Sequence, residues 1–178
     1  MLFSKVKGMI FIMIKKQINE LCMEKFSKYG TYSDVLNPKG VKFGEEPVEF
    51  YRDIIKLPLG NSNLASFSLC RLLKRPLIID TSEYHNYTGE MIIPLDGDIL
   101  MHVGPATSNA VAPVEDIEIF RIPKGVVVCI NPGVWHYSAF VYRCNIVNIL
   151  VTLPERTYMN DCYVVEIPME KQIEIVDE

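Results

Sequence analysis

The feature that most constrains the fold is a series of short β-rich runs, separated by turn residues, that fills the chain from about residue 50 onward. The breakers between the runs include Asp96-Gly97-Asp98, Pro123-Lys124-Gly125 and Asn131-Pro132-Gly133. Many short strands at this spacing predict a sandwich or barrel, because parallel strands would need crossover helices between them. The predicted strands are Phe50–Lys56, Leu64–Leu73, Leu77–Asp80, Ser82–Tyr87, Glu90–Leu95, Ile99–Val103, Ile117–Ile122, Val126–Asn131, Trp135–Val141, Asn145–Leu153 and Cys162–Ile167.

A single amphipathic helix is predicted ahead of these strands, over residues 15–29. Its apolar side chains recur with the 3.6-residue period of a helix, and Lys and Glu lie between them. Gly30 follows at the position where a helix C-terminus favours a left-handed residue. The periodic residues are Ile14, Ile18, Leu21, Cys22, Phe26 and Tyr29.

The length of 178 residues fits one domain, and no repeat, linker or low-complexity stretch divides the sequence. We therefore expect a single domain over residues 14–178, preceded by residues 1–13 as an amino-terminal extension or edge strand. Lys5 and Lys7 precede the apolar run Met9–Ile14, which is the order found in signal peptides. That run is short, has no small-residue cleavage site, and could not span a bilayer, so no membrane segment is predicted.

Charge and cysteine content exclude several classes of protein. The 18 Lys+Arg and 22 Asp+Glu residues give a net charge of −4, so the chain lacks the basic excess that nucleic-acid binding requires. Five cysteines occur without a C-x-x-C pair, which argues against a disulfide framework or a zinc ribbon and favours a cytoplasmic location. The mean hydropathy of +0.14, together with the open edge of a β-sheet, predicts a homodimer.

Two stretches of sequence carry residues suited to binding a metal ion. Glu83 and His85 share one face of a predicted strand, because side chains alternate along a strand. Gly89 allows a bend, after which Glu90 can return to the same face. His136 follows a Pro-Gly turn at the start of a later strand. If the two hairpins are neighbours, two imidazoles and two carboxylates converge, and such a set suits Zn, Ni, Mn or Fe.

Two residues close to these stretches are predicted to lie outside the site. Trp135 alternates with His136 and is therefore expected to pack in the core. His102 follows the alternation of Leu100 beyond the first motif, so we expect a core or surface residue there.

The spacing of the candidate ligands resembles the two signature motifs of the cupin superfamily. The sequence reads E-x-H-x4-E-x6-G from Glu83 to Gly97, and G-x6-P-G-x2-H from Gly125 to His136. Glu83 stands in place of the first histidine of the usual H-x-H, and the second motif differs in length by one residue at two places. The resemblance covers roughly residues 24–168 and implies a mainly all-β fold, a cupin-type double-stranded β-helix or jelly-roll barrel.

Within that superfamily, the chain resembles the ureidoglycolate lyase family, formerly called ureidoglycolate hydrolases. Residues 26–30 are similar to the family's opening F-x-x-Y-G segment. The stretch from Glu83 to Gly97 is similar to its E-x-H-x4-Q … I-P-x-x-G, and Gly133–His136 match its G-x-W-H. The family typically carries Gln where this chain has Glu90, which adds a charge to the pocket.

This resemblance implies a lyase that cleaves ureidoglycolate to glyoxylate and urea with a divalent metal ion. The metal would be bound by His85, His136 and Glu90, with Glu83 as a further ligand. A bound ion would lower the pKa of the substrate hydroxyl and stabilise the developing aldehyde-like oxygen. The general base would be a carboxylate that is not tightly bound to metal. Glu83 is the first candidate because it replaces the usual ligand, and Glu90 is the second.

A small anionic substrate requires hydrogen-bond donors around it. Arg71 ends a predicted strand and could offer a bidentate fork to a carboxylate. Tyr84 and Tyr137 border the motifs and could donate further hydrogen bonds. The other candidate cations are Arg143 and Arg52.

Two other functions stay open, because one fold hosts many chemistries. A cupin isomerase or epimerase acting on a sugar or sugar acid would use the same ligand set, so only substrate screening separates it from a lyase. A non-catalytic cupin that binds a small molecule would show a bound ligand without turnover or metal dependence.

Overall fold

The chain is described by a computed structural model over residues 5–6, 9–10 and 13–177, and these residues form mostly β-strands. The strands are β1 (Lys5–Val6), β2 (Met9–Ile10), β3 (Ile14–Glu20), β4 (Gly30–Asp34), β5 (Lys42–Phe43), β6 (Phe50–Tyr51), β7 (Ala65–Leu73), β8 (Ile78–Ile79), β9 (Thr81–Tyr84), β10 (Glu90–Pro94), β11 (Ile99–Val103), β12 (Glu118–Ile122), β13 (Val126–Ile130), β14 (Phe140–Val141), β15 (Ile146–Pro154), β16 (Tyr163–Glu166) and β17 (Ile173–Val176). The helical segments are α1 (Met23–Phe26), α2 (Thr157–Asn160) and a 3₁₀ turn at Met169–Lys171.

Two large sheets build the domain. The first has five strands in the order β4-β13-β10-β15-β7, and every neighbouring pair is antiparallel. The second has six strands in the order β14-β11-β12-β3-β17-β8, in which β3 runs parallel to both of its neighbours. The two sheets enclose a common core, which confirms the prediction of a mainly all-β fold.

The hydrophobic core lies in two layers. Ile92 and Val128 of the first sheet and Met101 and Phe120 of the second belong to one buried cluster, so this layer lies between the sheets. Leu100 belongs to a second cluster, which packs on the other face of the six-stranded sheet. Because both faces are covered, all five residues of β11 are buried. A strand buried on both faces has apolar residues without alternation.

The predicted amino-terminal helix is shorter than expected. Residues 14–20 form β3, which pairs with β12 and β17 along its two edges, and only α1 remains as one helical turn. Gly30 is not a left-handed C-cap but the first residue of β4, where an added Cβ would clash with the carbonyl oxygen of Cys129. The prediction of a helix over 15–29 is therefore wrong, because backbone pairing on both edges stabilises residues 14–20 as a strand.

The amino-terminal extension is described only in part. Residues 5–6 pair with residues 9–10 in a short antiparallel ladder, and the rest of residues 1–12 lies outside the described residues. Over the part of the chain that is described, no helix has the length and apolar character needed to cross a membrane.

Candidate metal centre

A pair of backbone hydrogen bonds joins the two predicted motifs. The N–H of Glu83 donates to the carbonyl of His136 at 2.6 Å, and the N–H of His136 donates to the carbonyl of Glu83 at 2.8 Å. This isolated bridge fixes residues that are far apart in sequence opposite one another. Glu90 is the first residue of β10 and pairs with Ile130 of β13, which fixes the third part of the site.

The structure brings all four predicted ligands together. One donor atom from each of Glu83, His85, Glu90 and His136 lies within 4.8 Å of the others. Glu90 Oε2 is at the centre, 3.0 Å from His85 Nε2 and 3.1 Å from His136 Nε2. Glu83 Oε1 is 3.9 Å from His136 Nε2. His85, Glu90 and His136 are buried and Glu83 is half-buried.

The orientation of both imidazoles is set by backbone carbonyls. His85 Nδ1 is 2.6 Å from the carbonyl oxygen of Asp161, and His136 Nδ1 is 2.8 Å from that of Val134. A carbonyl oxygen can only accept a hydrogen bond, so each Nδ1 carries the proton. Each Nε2 faces Glu90 Oε2 and is therefore the nitrogen that would give up its proton and offer a lone pair to a metal ion.

Electrostatics favour the ionised form of the central carboxylate. Burial would raise the pKa of Glu90, but hydrogen bonds and charge from His136 and His85 outweigh burial and lower the pKa to about 2. Burial would likewise lower the pKa of His136, yet its hydrogen bond to Glu90 and the charges of Glu90 and Glu83 raise it. A buried carboxylate thus stays charged, which a metal ligand must be.

The donor set fits one divalent transition-metal ion. One donor atom from each of the four residues lies within 4.8 Å of the others, so the four groups face one small space. Two imidazole nitrogens with carboxylate oxygens suit Zn, Ni, Mn or Fe, and the donor types do not select among them.

Asp161 supports the site, although no sequence pattern selects it. Its side-chain oxygens accept hydrogen bonds from the N–H groups of Asn86 and Tyr87, both at 2.8 Å, while its carbonyl holds His85. Asp161 follows α2 and is only 7% exposed. No motif spacing connects it to His85, which is 76 residues away in sequence.

A cavity of about 260 Å³, here called the cluster cavity, is lined by three of the four candidate ligands, Glu83, His85 and Glu90. The thiol of Cys162 donates to Glu83 Oε2 at 3.2 Å; burial, this bond and the nearby acidic charges raise the pKa of the thiol to about 12. Tyr137 lines the cavity, as a substrate-binding residue would. The lining residues are Ser68, Cys70, Glu83, His85, Glu90, Ile92, Tyr137, Ser138, Ala139, Ile149, Val151, Leu153, Tyr158 and Cys162.

The structure does not bring the other two predicted substrate contacts to this cavity. Arg71 lies on the exposed face of β7, opposite to Ser68 and Cys70, and its Nε donates to Asn148 Oδ1 at 3.1 Å. Tyr84 points away from the cluster because it alternates with its neighbours along β9. Its ring instead packs against Trp135, with a centroid distance of 4.5 Å.

The remaining candidates also lie elsewhere. Arg143 pairs with Asp177, and Arg52 lies over the ring of Phe43. The prediction that Trp135 packs in the core is confirmed, since it is 1% exposed. His102, the other residue predicted to lie outside the site, is also buried in the core and is 1% exposed.

Comparison with known proteins gives matches only among solved structures, since neither a protein-family model nor a curated protein matches the chain. An oxalate decarboxylase from Bacillus subtilis is 16% identical with a TM-score of 0.40, and the match covers 58% of this chain but 24% of that chain. A dTDP sugar isomerase from Desulfovibrio desulfuricans is 12% identical with a TM-score of 0.46, covering 79% and 85%. A dTDP-6-deoxy-D-glucose-3,5-epimerase from Legionella pneumophila is 15% identical with a TM-score of 0.36, covering 76% and 69%.

Proposed function

We propose that His85, Glu90 and His136, with Glu83 beside them, hold one divalent metal ion, and that the cluster cavity is the active site of a metal-dependent lyase. The single observation behind this proposal is the orientation of the two imidazoles. Backbone carbonyls occupy both Nδ1 atoms, so both Nε2 atoms point at the same Glu90 oxygen. The substrate class is a small hydroxy acid with a ureido or amide group, and ureidoglycolate is the first candidate.

The four residues divide into ligands and a base. Glu90 Oε2 contacts both imidazoles, which supports its role as a ligand. Glu83 lies farther from them and is half-buried, so its Oε1 is free to accept the proton of a substrate hydroxyl. The bound ion would supply Lewis-acid stabilisation of negative charge on the substrate oxygens. As the C–N bond breaks, Glu83 would return the proton to the departing urea nitrogen, so Glu83 ends the reaction ionised, as it began.

The walls of the cavity define how the substrate is held. Ile92, Ile149, Val151 and Leu153 line the cavity with apolar surface, which limits water near the reacting atoms. Tyr137 can donate a hydrogen bond to a substrate oxygen from the same lining.

An isomerase or epimerase acting on a sugar is the second candidate, and one observation favours it. The lining of the cluster cavity, within the described residues, contains no lysine or arginine that would pair with a carboxylate. An uncharged sugar needs no such partner. Glu83 would then move a proton between carbon atoms or between carbon and solvent instead of assisting C–N cleavage.

The test combines elemental analysis with two activity assays on the purified chain. We expect one divalent ion per chain and release of glyoxylate from ureidoglycolate, with both lost in His85→Ala and His136→Ala. Glu83→Gln should retain most of the metal but lose turnover, whereas Glu118→Gln is a matched control, because Glu118 bonds to Tyr29 and Lys28 away from the cluster.

Each outcome of this test either supports one of the two proposed functions or refutes the metal centre. Metal without glyoxylate, but with exchange of carbon-bound hydrogen of a sugar in deuterated water, would replace the lyase with the isomerase. A well-folded chain that binds no divalent ion at micromolar concentrations would refute the metal centre itself.

A further inference from the structure

A second and larger cavity lies on the other side of Tyr137 and Ser138, which line both cavities. Its volume is about 470 Å³, within the range of small-molecule sites. We call it the Arg75 cavity. It contains none of the four candidate metal ligands. Its lining residues are Arg75, Pro76, Ile78, Ile79, Asp80, Thr81, His102, Tyr137, Ser138, Phe140 and Gln172.

Arg75 presents a fixed cation to this cavity. Its Nη2 donates to the carbonyl of Ser138 at 2.6 Å, and the guanidinium carbon lies 4.0 Å from the centre of the Phe140 ring. No carboxylate in the described part of the chain pairs with it within 4.0 Å. A half-buried guanidinium that is held in place, with further N–H donors unused, is suited to binding a carboxylate in a fork.

His102 presents a bare hydrogen-bond acceptor. The ring is 1% exposed, and its Nε2 is 3.1 Å from Ser82 Oγ. The Ser82 hydroxyl has a single proton, which it donates to the carbonyl of His136 at 3.2 Å. The hydrogen bond between Ser82 Oγ and His102 Nε2 therefore uses a proton on the imidazole Nε2. His102 Nδ1 then has a free lone pair, and it has no hydrogen-bond partner among the residues that the structure describes.

A buried acceptor beside a cavity calls for a donor from outside the chain, because an unsatisfied buried polar atom is costly. A ligand hydroxyl supplies that donor. Thr81 and Gln172 line the same cavity and can bond to further hydroxyls. Asp80 also lines it, and its Oδ1 already accepts from the Thr81 hydroxyl at 3.1 Å. The walls thus combine one cation, the Asp80 carboxylate and several groups that recognise hydroxyls.

We propose that the Arg75 cavity binds a small polyhydroxylated carboxylic acid of the sugar-acid type. The carboxylate lies on the Arg75 guanidinium, and one hydroxyl donates to His102 Nδ1. This site goes beyond the proposed metal-dependent function and does not depend on it, because the two cavities share only Tyr137 and Ser138 of their walls.

Calorimetric titration of the full-length protein tests the proposal with five probes. Three are sugar acids of different stereochemistry: D-gluconate, D-galactonate and D-glucuronate. Hexanoate has the carboxylate and chain length of gluconate without hydroxyls, and sorbitol has the hydroxyls without the carboxylate. At least one sugar acid should bind with one site per chain, while hexanoate and sorbitol should bind at least ten-fold more weakly.

Two arginine variants locate the site. Arg75→Gln should weaken the sugar acid at least ten-fold, and Arg71→Gln, which removes the same charge from the exposed face of β7, should leave the affinity unchanged. In the folded wild-type protein, nitrogen NMR of His102 should show the Nδ1 resonance moving in the direction of a newly accepted hydrogen bond. Arg75→Lys provides a second variant that keeps the charge, in case Arg75→Gln does not fold.

Three results would overturn the proposal: no binding of any sugar acid, equal affinity for hexanoate, or binding that survives Arg75→Gln. Excess EDTA distinguishes this site from the metal centre. Binding at the Arg75 cavity should be unaffected by EDTA, whereas a sugar acid held by a metal at the cluster would be released. Loss of binding in EDTA would therefore refute the second site while leaving the metal-dependent function standing.

Discussion

Asp161→Asn is the substitution that most directly tests how the proposed metal centre is supported. Asp161 accepts two backbone N–H groups with its carboxylate and the His85 Nδ1–H with its carbonyl, so it holds three groups of the same short segment. Asparagine keeps the size of the side chain and one acceptor oxygen. It places an NH2 group against the second backbone N–H, so one hydrogen bond is replaced by a contact between two donors.

The magnitude follows from those contacts. A hydrogen bond to a charged group contributes about 1.5–3 kcal/mol, and leaving a buried donor unpaired costs a comparable amount. Asp161 is 7% exposed, so solvent replaces little of this loss. We therefore expect the free energy of unfolding to fall by about 3 kcal/mol. Because residues behind a metal-binding imidazole typically change metal affinity by about 10–100-fold, the affinity for Zn²⁺ should fall by roughly ten-fold or more.

The chain offers a matched control in Asp96→Asn. The Asp96 carboxylate accepts the backbone N–H of Asn148 at 2.8 Å and also bonds to its side-chain amide, which is the same type of two-point contact. Asp96 is exposed and lies outside the cluster, so its substitution should leave metal affinity unchanged. Urea denaturation of the metal-free proteins measures stability, and calorimetric titration with Zn²⁺ measures affinity.

Two results would contradict the reasoning. If folded Asp161→Asn binds Zn²⁺ as tightly as the wild type, Asp161 does not hold His85 in its metal-binding orientation. If Asp96→Asn lowers the affinity equally, the effect is general to the fold and says nothing about the site.

Three further predictions follow from the described contacts. Glu90→Gln removes the charge of the central oxygen, so Zn²⁺ affinity should fall at least ten-fold in calorimetry, while an unchanged affinity would remove Glu90 from the ligand set. Burial, together with charge from His136 and Arg75, lowers the pKa of His102 in the folded chain from 6.5 to about 3. Below pH 6.5 the unfolded chain therefore binds a proton at His102 that the folded chain does not bind. Urea denaturation should show the wild type losing about 1.4 kcal/mol per pH unit more than His102→Gln between pH 6.5 and 4.5, and parallel curves would contradict this. Phe67 and Leu69 are 66% and 62% exposed on the edge strand β7, and we expect them to form a homodimer interface; light scattering should show twice 20.3 kDa, falling to the monomer in Phe67→Asp.

Local rules were sufficient to predict that the four candidate ligands lie together. Alternation along a strand places Glu83 and His85 on one face, and a turn before His136 delivers the second imidazole. The structure brings these groups within 4.8 Å of Glu90, as the spacing predicted. The same rule also excludes Tyr84 from the site, because it lies between Glu83 and His85 and must point to the opposite face.

Alternation gives no such answer where both faces of a strand are apolar. Along β7 the inward positions include Cys70 and Leu72, and the outward positions include Leu69 and Leu73. The pattern therefore does not indicate which face meets the cavity, and Arg71 lies on the outer one. The arginine that does line a cavity, Arg75, follows the strand in a segment without periodicity, so its orientation depends on Ser138 and Phe140 from distant sequence.

The incorrect helix has a related cause. Ile14 and Ile18 are four residues apart, a spacing that fits both a helical period and every second residue of a strand. Both side chains pack on the second core layer, as either structure would allow. The choice is made by β12 and β17, which offer hydrogen-bond partners along both edges of residues 14–20.

The polar groups behind the site depend on the same kind of long-range contact. Ser82 bonds to both His102 and the carbonyl of His136, and Asp161 reaches the segment after His85 from the carboxyl-terminal part of the chain. Each of these bonds satisfies a buried donor or acceptor. They form only after the strands have paired, because pairing brings these distant residues together. His102 Nδ1 is the buried side-chain atom for which that pairing supplies no partner in the described residues. Local sequence patterns therefore indicate the candidate metal ligands, whereas an atom left unsatisfied by the finished fold points to the proposed second site.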